Sequence, residues 1–226
     1  MTEETTRRLD GLATVDRFDG GVGWVASPDE QMQRASHALV ADGDVWVVDP
    51  VDVEGVDDLL AELGTVRGVV VLLDRHRRDS AALANRHDVP VWLPAFFDGV
   101  ASALDAPVER FEAALADSGF VAHEVIDNRF WQEATLVDRD RGVVVVPEAV
   151  GTADYFLAGD ERLGVHPMLR LTPPSALDEF DPDRVLVGHG TAVHEDASVA
   201  LDVALQGSQA RTPALVIESV RSLLPI

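Results

Sequence analysis

Cysteine and lysine are both missing from this sequence of 226 residues. Without cysteine the chain forms no disulfide and offers no thiolate to a metal ion, so histidine and carboxylate side chains are its strong metal ligands. Without lysine, all 18 basic residues are arginine. Permanent positive charge in a functional site is therefore carried by guanidinium groups, which can bind carboxylates through two parallel hydrogen bonds.

Positive charge is also scarce. The 18 arginines are outnumbered by 40 aspartates and glutamates, which gives a formal net charge of −22. Nucleic-acid backbones and anionic membranes would both be repelled, and no basic stripe in the sequence overcomes that repulsion. We therefore expect no nucleic-acid partner and no membrane partner, whereas a small-molecule ligand and a homo-oligomer are both compatible with the composition.

Long apolar runs are absent too. The first residues, MTEETTRRLDG, lack the apolar core of a signal peptide, and no apolar run approaches the length needed to cross a bilayer. These features predict a cytoplasmic protein. A chain of this length can bury one substantial core, and we expect a single domain over residues 1–226.

Short runs of β-branched residues indicate buried strands. We expect two sheets packed face to face, which bury Val45–Val48, Val69–Leu73, Val143–Val146 and Val185–Val187. Asp42-Gly43 predicts a two-residue hairpin turn. Apolar spacing and end signals predict helices over Val53–Leu63, Ser80–His87, Pro107–Ser118, Ala197–Gln206 and Pro213–Leu224. Prolines make residues 151–174 irregular, and the sequence leaves open whether they form a lid or an interface.

Four segments at predicted strand ends resemble the metallo-β-lactamase superfamily. They are VWVVDP, LLDRHRRDS, GVVVVPEAVG and VLVGHG, and the resemblance extends from about Val22 to about Ala204. It implies an α/β fold, the four-layer αββα sandwich, in which two mixed sheets are flanked by helices. The family site lies at one edge between the sheets, and most members are hydrolases that hold one or two metal ions.

The metal-binding loop departs from the family pattern, which is H-x-H-x-D-H. If Asp79 is aligned with the family aspartate, Arg75 and Arg77 occupy the first two histidine positions. If the alignment slides by one residue, His76 matches the second histidine, and Arg78 and Asp79 fall at the last two positions. Neither alignment preserves a dinuclear metal site.

Outside this loop, Glu148 takes the place of the family's bridging aspartate, and His189 stands where the family has its final histidine. The family's third metal-binding histidine has no counterpart in this sequence. His123 lies too early in the chain to take that place. If a metal ion binds, the resemblance implies that the ligands are His76, Asp79, Glu148 and His189. Asp79 could instead cap the helix that begins at Ser80, and Asp49 is interpreted as a supporting group. We interpret the remaining histidines as surface or packing residues: His37, His87, His166 and His194.

Two functions of different class follow. In the first, which we favour, the protein has lost the zinc pair, binds no cofactor and acts as a non-catalytic or small-ligand-binding protein. Three arginines in the loop support it, because they place positive charge where a dication would sit. In the second, one Zn, Fe or Mn ion held by His76, Glu148 and His189, with or without Asp79, activates water to hydrolyse a small ester or thioester.

Arginine is the expected replacement for the charge of a lost metal ion. We expect at least one arginine of the loop to turn inward and pair with a carboxylate of the site, while the others face solvent. The candidate arginines are Arg75, Arg77 and Arg78, and the candidate carboxylates are Asp49, Asp79 and Glu148.

The acidity is spread along the whole chain and therefore belongs to the folded surface, which is typical of adaptation to high salt. The alternative is an ordinary acidic protein from a GC-rich genome. We predict that the melting temperature rises steeply from dilute buffer to molar salt, because salt screens the repulsion between surface carboxylates. Thermal unfolding at a series of salt concentrations measures this, and an unchanged melting temperature would contradict the halophilic interpretation.

Overall fold

The computed structural model describes residues 14–223 of the chain. The first of its sheets is mixed and contains seven strands in chain order. The strands are β1 (Thr14–Phe18), β2 (Gly21–Val25), β3 (Ala35–Ala41), β4 (Asp44–Val48), β5 (Thr65–Val70), β6 (Val91–Pro94) and β7 (Val108–Phe111). Strands β1 to β4 pair antiparallel, and β4 to β7 pair parallel. The predicted hairpin turn between β3 and β4 is confirmed: Asp42 and Gly43 have φ values of 51° and 86°, as a type I′ turn requires.

A second sheet contains four strands in the order β13-β10-β9-β8, and a small two-stranded sheet pairs β11 with β12. The strands are β8 (Val121–Asn128), β9 (Trp131–Asp138), β10 (Val143–Val146), β11 (Val150–Gly151), β12 (Gly164–Val165) and β13 (Arg184–Val187). The pairing of β10 with β13 is parallel, whereas the other pairings are antiparallel.

Within residues 14–223, three α-helices cover the outer faces of the two sheets. They are α1 (Val56–Leu63), α2 (Ser80–Arg86) and α3 (Ala197–Leu223). Among residues 14–223, no helix combines the length and the apolar character that a membrane crossing requires.

Side chains that alternate along the central strands define four layers. In β4, Val45 and Val47 pack with residues of α1 and α2, whereas Trp46 and Val48 face the second sheet. In β10, Val144 and Val146 pack against α3, whereas Val143 and Val145 face the first sheet. Because successive side chains of a strand point to opposite faces, each sheet is buried on both sides. The expected four-layer αββα sandwich is confirmed.

The predicted helix over Pro107–Ser118 is wrong. The carbonyl of Pro107 accepts a hydrogen bond from the backbone N–H of Val91, and β7 continues beside β6 as a parallel edge strand. The guanidinium of Arg110 donates to the carbonyls of Ala95 and Phe97 at 2.9 and 3.1 Å, which fixes this edge. Of the two apolar residues four positions apart, Phe111 ends β7 and Leu115 begins a turn in which its carbonyl accepts the N–H of Ser118; both side chains are buried.

The two helices predicted at the end of the chain form one helix, α3, which continues through Pro213. Thr212 does not cap a new helix, because its hydroxyl donates to the carbonyl of Ser208 at 2.8 Å, one turn earlier. The hydroxyl of Ser208 donates in turn to the carbonyl of Arg170, which ties the middle of α3 to the preceding segment. Leu224, the predicted last residue, lies outside the described residues.

The buried run Val69–Leu73 passes from the first sheet to the second. It leaves the ladder of β5 after Val70, and the carbonyl of Leu72 then accepts the N–H of Ala134 in β9 at 2.9 Å. Leu73 forms an isolated bridge with Glu133. This crossing places the charged loop that follows, residues 74–79, between the two sheets.

A buried ion pair anchors the irregular segment 151–174. The guanidinium of Arg170 forms two hydrogen bonds with the carboxylate of Glu161, and both side chains are fully buried. The carbonyl of Phe156 accepts another hydrogen bond from the same guanidinium, and Glu161 accepts the N–H of Ala158. These contacts make the segment a packed wall against α3.

Replacing Arg170 with methionine should destabilise the protein by about 3–5 kcal/mol, because the Glu161 carboxylate would stay buried without its partner. The change Arg17→Met is the matched control: it breaks an ion pair with Glu62 whose side chains are 41 % and 52 % exposed, and it should alter stability by less than about 1 kcal/mol. Urea unfolding measures both variants. If both variants lost the same free energy of unfolding, burial of the Arg170–Glu161 pair would contribute little to stability.

His37 joins the two sheets from β3. Its Nε2–H donates to the carbonyl of Val187 in β13 at 2.8 Å, and its ring is buried. Burial lowers the pKa of His37 to about 4, which keeps the imidazole neutral at neutral pH. His37 is therefore a packing residue, as the sequence indicated.

Folding should depend on the protonation of His37. Its pKa in the folded state lies below the value of about 6.5 expected in the unfolded chain, so its contribution to stability is complete above pH 6.5 and is lost as the pH falls towards 4. The loss should reach about 3 kcal/mol. The variant His37→Gln keeps an N–H donor and should lose this part of the pH dependence. Urea unfolding between pH 7.5 and 4 tests it, and parallel curves for both proteins would contradict the assignment.

Candidate metal centre

Chain segments from both sheets meet at one edge. The N–H of Ala35 at the start of β3 donates to the carbonyl of Gly188 at the end of β13, and the N–H of Gly190 donates to the carbonyl of Gln33. A Cβ atom on Gly188 would collide with the carbonyl of Pro147, so glycine is required where β13 passes the end of β10. The residues that follow β4, β5, β10 and β13 are thereby brought together.

Three of the four predicted ligands converge there. The Nε2 atoms of His76 and His189 lie 3.3 Å apart, and Oε2 of Glu148 lies 3.1 Å from the first and 3.7 Å from the second. All three side chains are buried, with relative exposures of 4–7 %. In the described part of the chain this is the one group of at least three such side chains with geometry suited to a metal ion.

Supporting contacts fix which nitrogen of each imidazole faces the cluster. Nδ1–H of His76 donates to Oδ2 of Asp49 at 3.1 Å, and Nδ1–H of His189 donates to the carbonyl of Met32 at 2.8 Å. Nε2 of each ring therefore faces the cluster and Oε2 of Glu148. Two imidazole nitrogens and a carboxylate oxygen at these distances are held together by a shared proton or by a cation.

Glu148 uses its two carboxylate oxygens differently. Oε1 accepts from Nη2 of Arg75 at 3.2 Å and lies 3.5 Å from Nε2 of His166, whereas Oε2 faces the cluster. Burial alone would raise the pKa of Glu148. Hydrogen bonds with His189 and His76, together with the charge of Arg75, hold that pKa well below its ordinary value. The carboxylate is thus ionised and offers one oxygen as a ligand.

Glu133 positions the backbone that carries Glu148. Its Oε1 accepts the N–H groups of Glu148 and Ala149 at 3.0 and 2.7 Å, and its Oε2 accepts the indole N–H of Trp131 at 2.7 Å. Full burial raises the pKa of Glu133 to about 7, although three N–H donors oppose that shift. Glu133 was not among the predicted site residues, because nothing in the sequence distinguishes it from the many other acidic residues of the chain.

His166 was also missed, since it was interpreted as a surface or packing residue. It lies just after β12, whose pairing with β11 brings the ring onto Glu148. Its Nδ1 accepts the N–H of Met168 at 3.2 Å, so the proton is on Nε2, which points its positive end towards Oε1 of Glu148 at 3.5 Å. The ring is therefore a polar neighbour of Glu148 and not a ligand. Burial lowers the pKa of His166 to about 4, and the ring of Trp131 packs edge-on against it.

Asp79, the fourth predicted ligand, lies outside the cluster. Its Oδ2 accepts the backbone N–H of Asp52 at 2.9 Å, and its side chain makes no capping hydrogen bond to α2. Asp49 is a supporting group, since it binds Nδ1–H of His76 and also accepts the N–H of Leu72 through Oδ1. Of the two alignments of this loop with the family pattern, the one shifted by one residue matches His76 with the second histidine. This alignment agrees with the structure, because His76 lies in the cluster.

The three arginines of the loop have three different environments. Arg75 pairs with Glu148 and lies 4.1 Å above the ring of Trp131, but its side chain is 39 % exposed. Arg77 is exposed and contacts the carbonyl of Ala103 at 3.4 Å. Arg78 turns inward and contacts no carboxylate, so the expectation that the remaining arginines face solvent is wrong for it.

Arg78 is held by backbone carbonyls from three strand ends. Nη1 donates to the carbonyls of Ala35 and Asp49 at 2.5 and 2.8 Å, and Nη2 donates to that of Gly188 at 3.0 Å. Burial lowers the pKa of Arg78 to about 10, which still leaves the guanidinium charged at neutral pH. Its φ of 39° lies in the left-handed region, where residues other than glycine are uncommon.

An open cleft of about 360 Å³ lies beside Arg75, on the loop that carries His76, and the three cluster residues are not part of its lining. Arg75, Arg77, Asp98 and Phe130 are among the residues that line it, and the ring of Phe130 is 76 % exposed. A cavity of this volume falls within the range that small ligands occupy in proteins. Arg75 connects the cleft with the cluster, since its guanidinium lines the cleft and also binds Glu148.

The donor set fits a single divalent ion. Two imidazole Nε2 atoms and one carboxylate oxygen are ligands of zinc and of similar transition metals, and each imidazole is oriented by an oxygen acceptor at Nδ1, as in known metal sites. The expectation that no cofactor binds is therefore not supported. Three protein ligands would leave a further coordination position, which distinguishes catalytic zinc sites from closed structural ones.

Solved structures with the same fold are metallo-β-lactamases. DIM-1 metallo-β-lactamase, in a crystal exposed to ceftazidime, has a TM-score of 0.63 at 10 % identity, with 92 % of this chain and 99 % of that chain covered. FIM-1 from Pseudomonas aeruginosa, in a mono-zinc form, gives the same four values. The enzyme from Erythrobacter litoralis has a TM-score of 0.59 at 11 % identity, with 90 % and 99 % covered. The chain thus has the metallo-β-lactamase fold.

The sequence itself matches no family model and no curated protein. At 10–11 % identity, the likeness to the solved structures shows the fold alone.

Proposed function

We propose that this protein is a metal-dependent hydrolase with a single divalent ion, held by Nε2 of His76, Oε2 of Glu148 and Nε2 of His189. The observation that supports it is the convergence of these three buried ligand atoms, with both Nδ1 atoms engaged by oxygen acceptors. A divalent ion at such a site lowers the pKa of a bound water and polarises a carbonyl oxygen of a substrate.

The surrounding side chains hold the ligands in place. Asp49 orients the ring of His76, Glu133 fixes the backbone of Glu148, and Nε2 of His166 lies 3.5 Å from the carboxylate oxygen that the ion would not use. Because Arg75 and His166 both lie beside Oε1 of Glu148, Oε2 is the oxygen that faces the two imidazoles. Mutations of such supporting residues typically weaken metal binding by about 10- to 100-fold.

The adjoining cleft is the proposed substrate site. Its walls combine the guanidinium groups of Arg75 and Arg77 with the carboxylate of Asp98 and the exposed ring of Phe130. Such mixed walls suit a small ester or thioester with both polar and apolar parts.

A second candidate is a non-catalytic protein that binds a small ligand. The observation that favours it is the burial of the cluster, whose three side chains are only 4–7 % exposed, together with the ion pair by which Arg75 covers one side of Glu148. In this case the cleft would bind its ligand without chemical change.

Metal analysis and hydrolysis assays distinguish the two candidates. Untagged protein that is incubated with zinc, iron or manganese and then dialysed should retain close to one equivalent of one of these metals. His76→Ala and Glu148→Gln should each lower its affinity at least about 100-fold, because each removes one of three ligands. His87→Ala, which removes a surface imidazole that contacts Asp57, is the matched control and should retain the metal.

The metal-loaded protein should hydrolyse at least one member of a panel of small esters, thioesters and β-lactams, and His76→Ala should be inactive. Retention of one metal ion without hydrolysis of any panel member would favour the non-catalytic candidate. Failure to retain metal in the wild-type protein would contradict the proposal itself.

A further inference from the structure

Arg78 occupies a special position in the metal-binding loop. The family pattern H-x-H-x-D-H has a metal-binding aspartate two residues after the second histidine. Because the structure places His76 in the cluster, the residue at that aspartate position is Arg78. A negatively charged ligand position is thus occupied by a guanidinium, and a second ion would lack a ligand and meet a positive charge.

The guanidinium of Arg78 is fixed and has no anionic partner. It donates to three backbone carbonyls, and it forms no ion pair with any carboxylate within 4.0 Å in the part of the chain that the structure describes. Its Nη2 lies 3.5 Å from Nε2 of His76, the atom that would bind the metal ion. The charge of this side chain therefore acts on the cluster, and the carboxylates of Asp49, Glu148 and Glu30 act on it through space without an ion pair.

Arg78 lies beside atoms that would bind the metal ion. With Nδ1–H of both imidazoles engaged elsewhere, Nε2 of each ring and Oε2 of Glu148 face one another, and these are the ligand atoms of the proposed site. Arg75 binds the other oxygen of Glu148, whereas Arg78 lies next to Nε2 of His76.

We propose that Arg78 is a built-in cation at the position of the fold's second metal ion, and that its charge opposes the binding of a divalent ion to His76. This inference rests on the proposed function in one respect, since it takes the cluster as the metal site. It predicts that the affinity of the cluster for a divalent ion is lower than its three ligands alone would give.

Zinc binding to three variants tests the proposal. Arg78→Gln keeps hydrogen-bond donors but removes the charge, Arg78→Lys keeps the charge, and Arg77→Gln removes a charge that points to the surface. Affinity is measured by competition with a chromophoric chelator, and stoichiometry by elemental analysis. Arg78→Gln should bind zinc at least about tenfold more tightly than the wild type, because a positive charge close to the ion has been removed. Arg78→Lys and Arg77→Gln should stay within about threefold.

Melting temperature in the absence of metal provides a control. Both Arg78 variants lose contacts with backbone carbonyls and should melt below the wild type, whereas Arg77→Gln should melt like the wild type. A merely structural role through these carbonyl contacts would lower the melting temperature of both Arg78 variants and leave their zinc affinity unchanged.

The outcomes separate this inference from the proposed function. If the wild type binds no zinc but Arg78→Gln does, the single-ion function fails and the role of Arg78 is supported. If Arg78→Gln binds zinc no more tightly than the wild type, or if Arg77→Gln gains as much, the role assigned to Arg78 is overturned. If Arg78→Gln fails to fold, Arg78→Lys carries the test: a zinc affinity within about threefold of the wild type supports the role of the charge, and a gain of about tenfold or more although the charge is kept overturns it.

Discussion

Electrostatic balance in one buried cluster is the constraint on which the site depends. Two imidazole nitrogens and a carboxylate oxygen from His76, His189 and Glu148 lie within 3.1–3.7 Å of one another. In surroundings of low polarity such groups need a proton or a cation between them. A divalent ion would bind all three, and the fixed charge of Arg78 lies beside the same atoms. The chemistry of the site therefore depends on the opposition between a guanidinium and a metal ion.

The fold serves this balance because it gathers strand ends from both sheets at one edge. The chain that follows β5 crosses between the sheets and carries His76 with it, while glycine at position 188 lets β13 approach the end of β10 closely. Arg78 then bonds to carbonyls of three of these strand ends, so one side chain contributes both to the scaffold and to the charge of the site. Segment 151–174, anchored by its buried ion pair, closes the opposite side through His166.

Much of this could be predicted from the sequence, because buried β-branched runs and turn residues are local signals. The valine runs of β4, β10 and β13 were predicted closely, and the order of the four motifs indicated both the fold and three of the clustered side chains. Residues 107–118 were mispredicted because the pairing of β7 with β6 is a long-range contact that overrides apolar spacing. Glu133 and His166 were missed for the same reason, since only pairing between distant strands brings them to Glu148. Arg78 could not be distinguished from Arg77, because their different environments arise from carbonyls far away in sequence.

The most direct test of the single-ion site is anomalous diffraction at the zinc edge from crystals grown with zinc. The account predicts one strong peak, about 2.0–2.2 Å from Nε2 of His76, Nε2 of His189 and Oε2 of Glu148, with the guanidinium of Arg78 beside it and no second peak in the pocket. No peak between these three residues, or a pair of peaks with Arg78 displaced from its carbonyl partners, would contradict it.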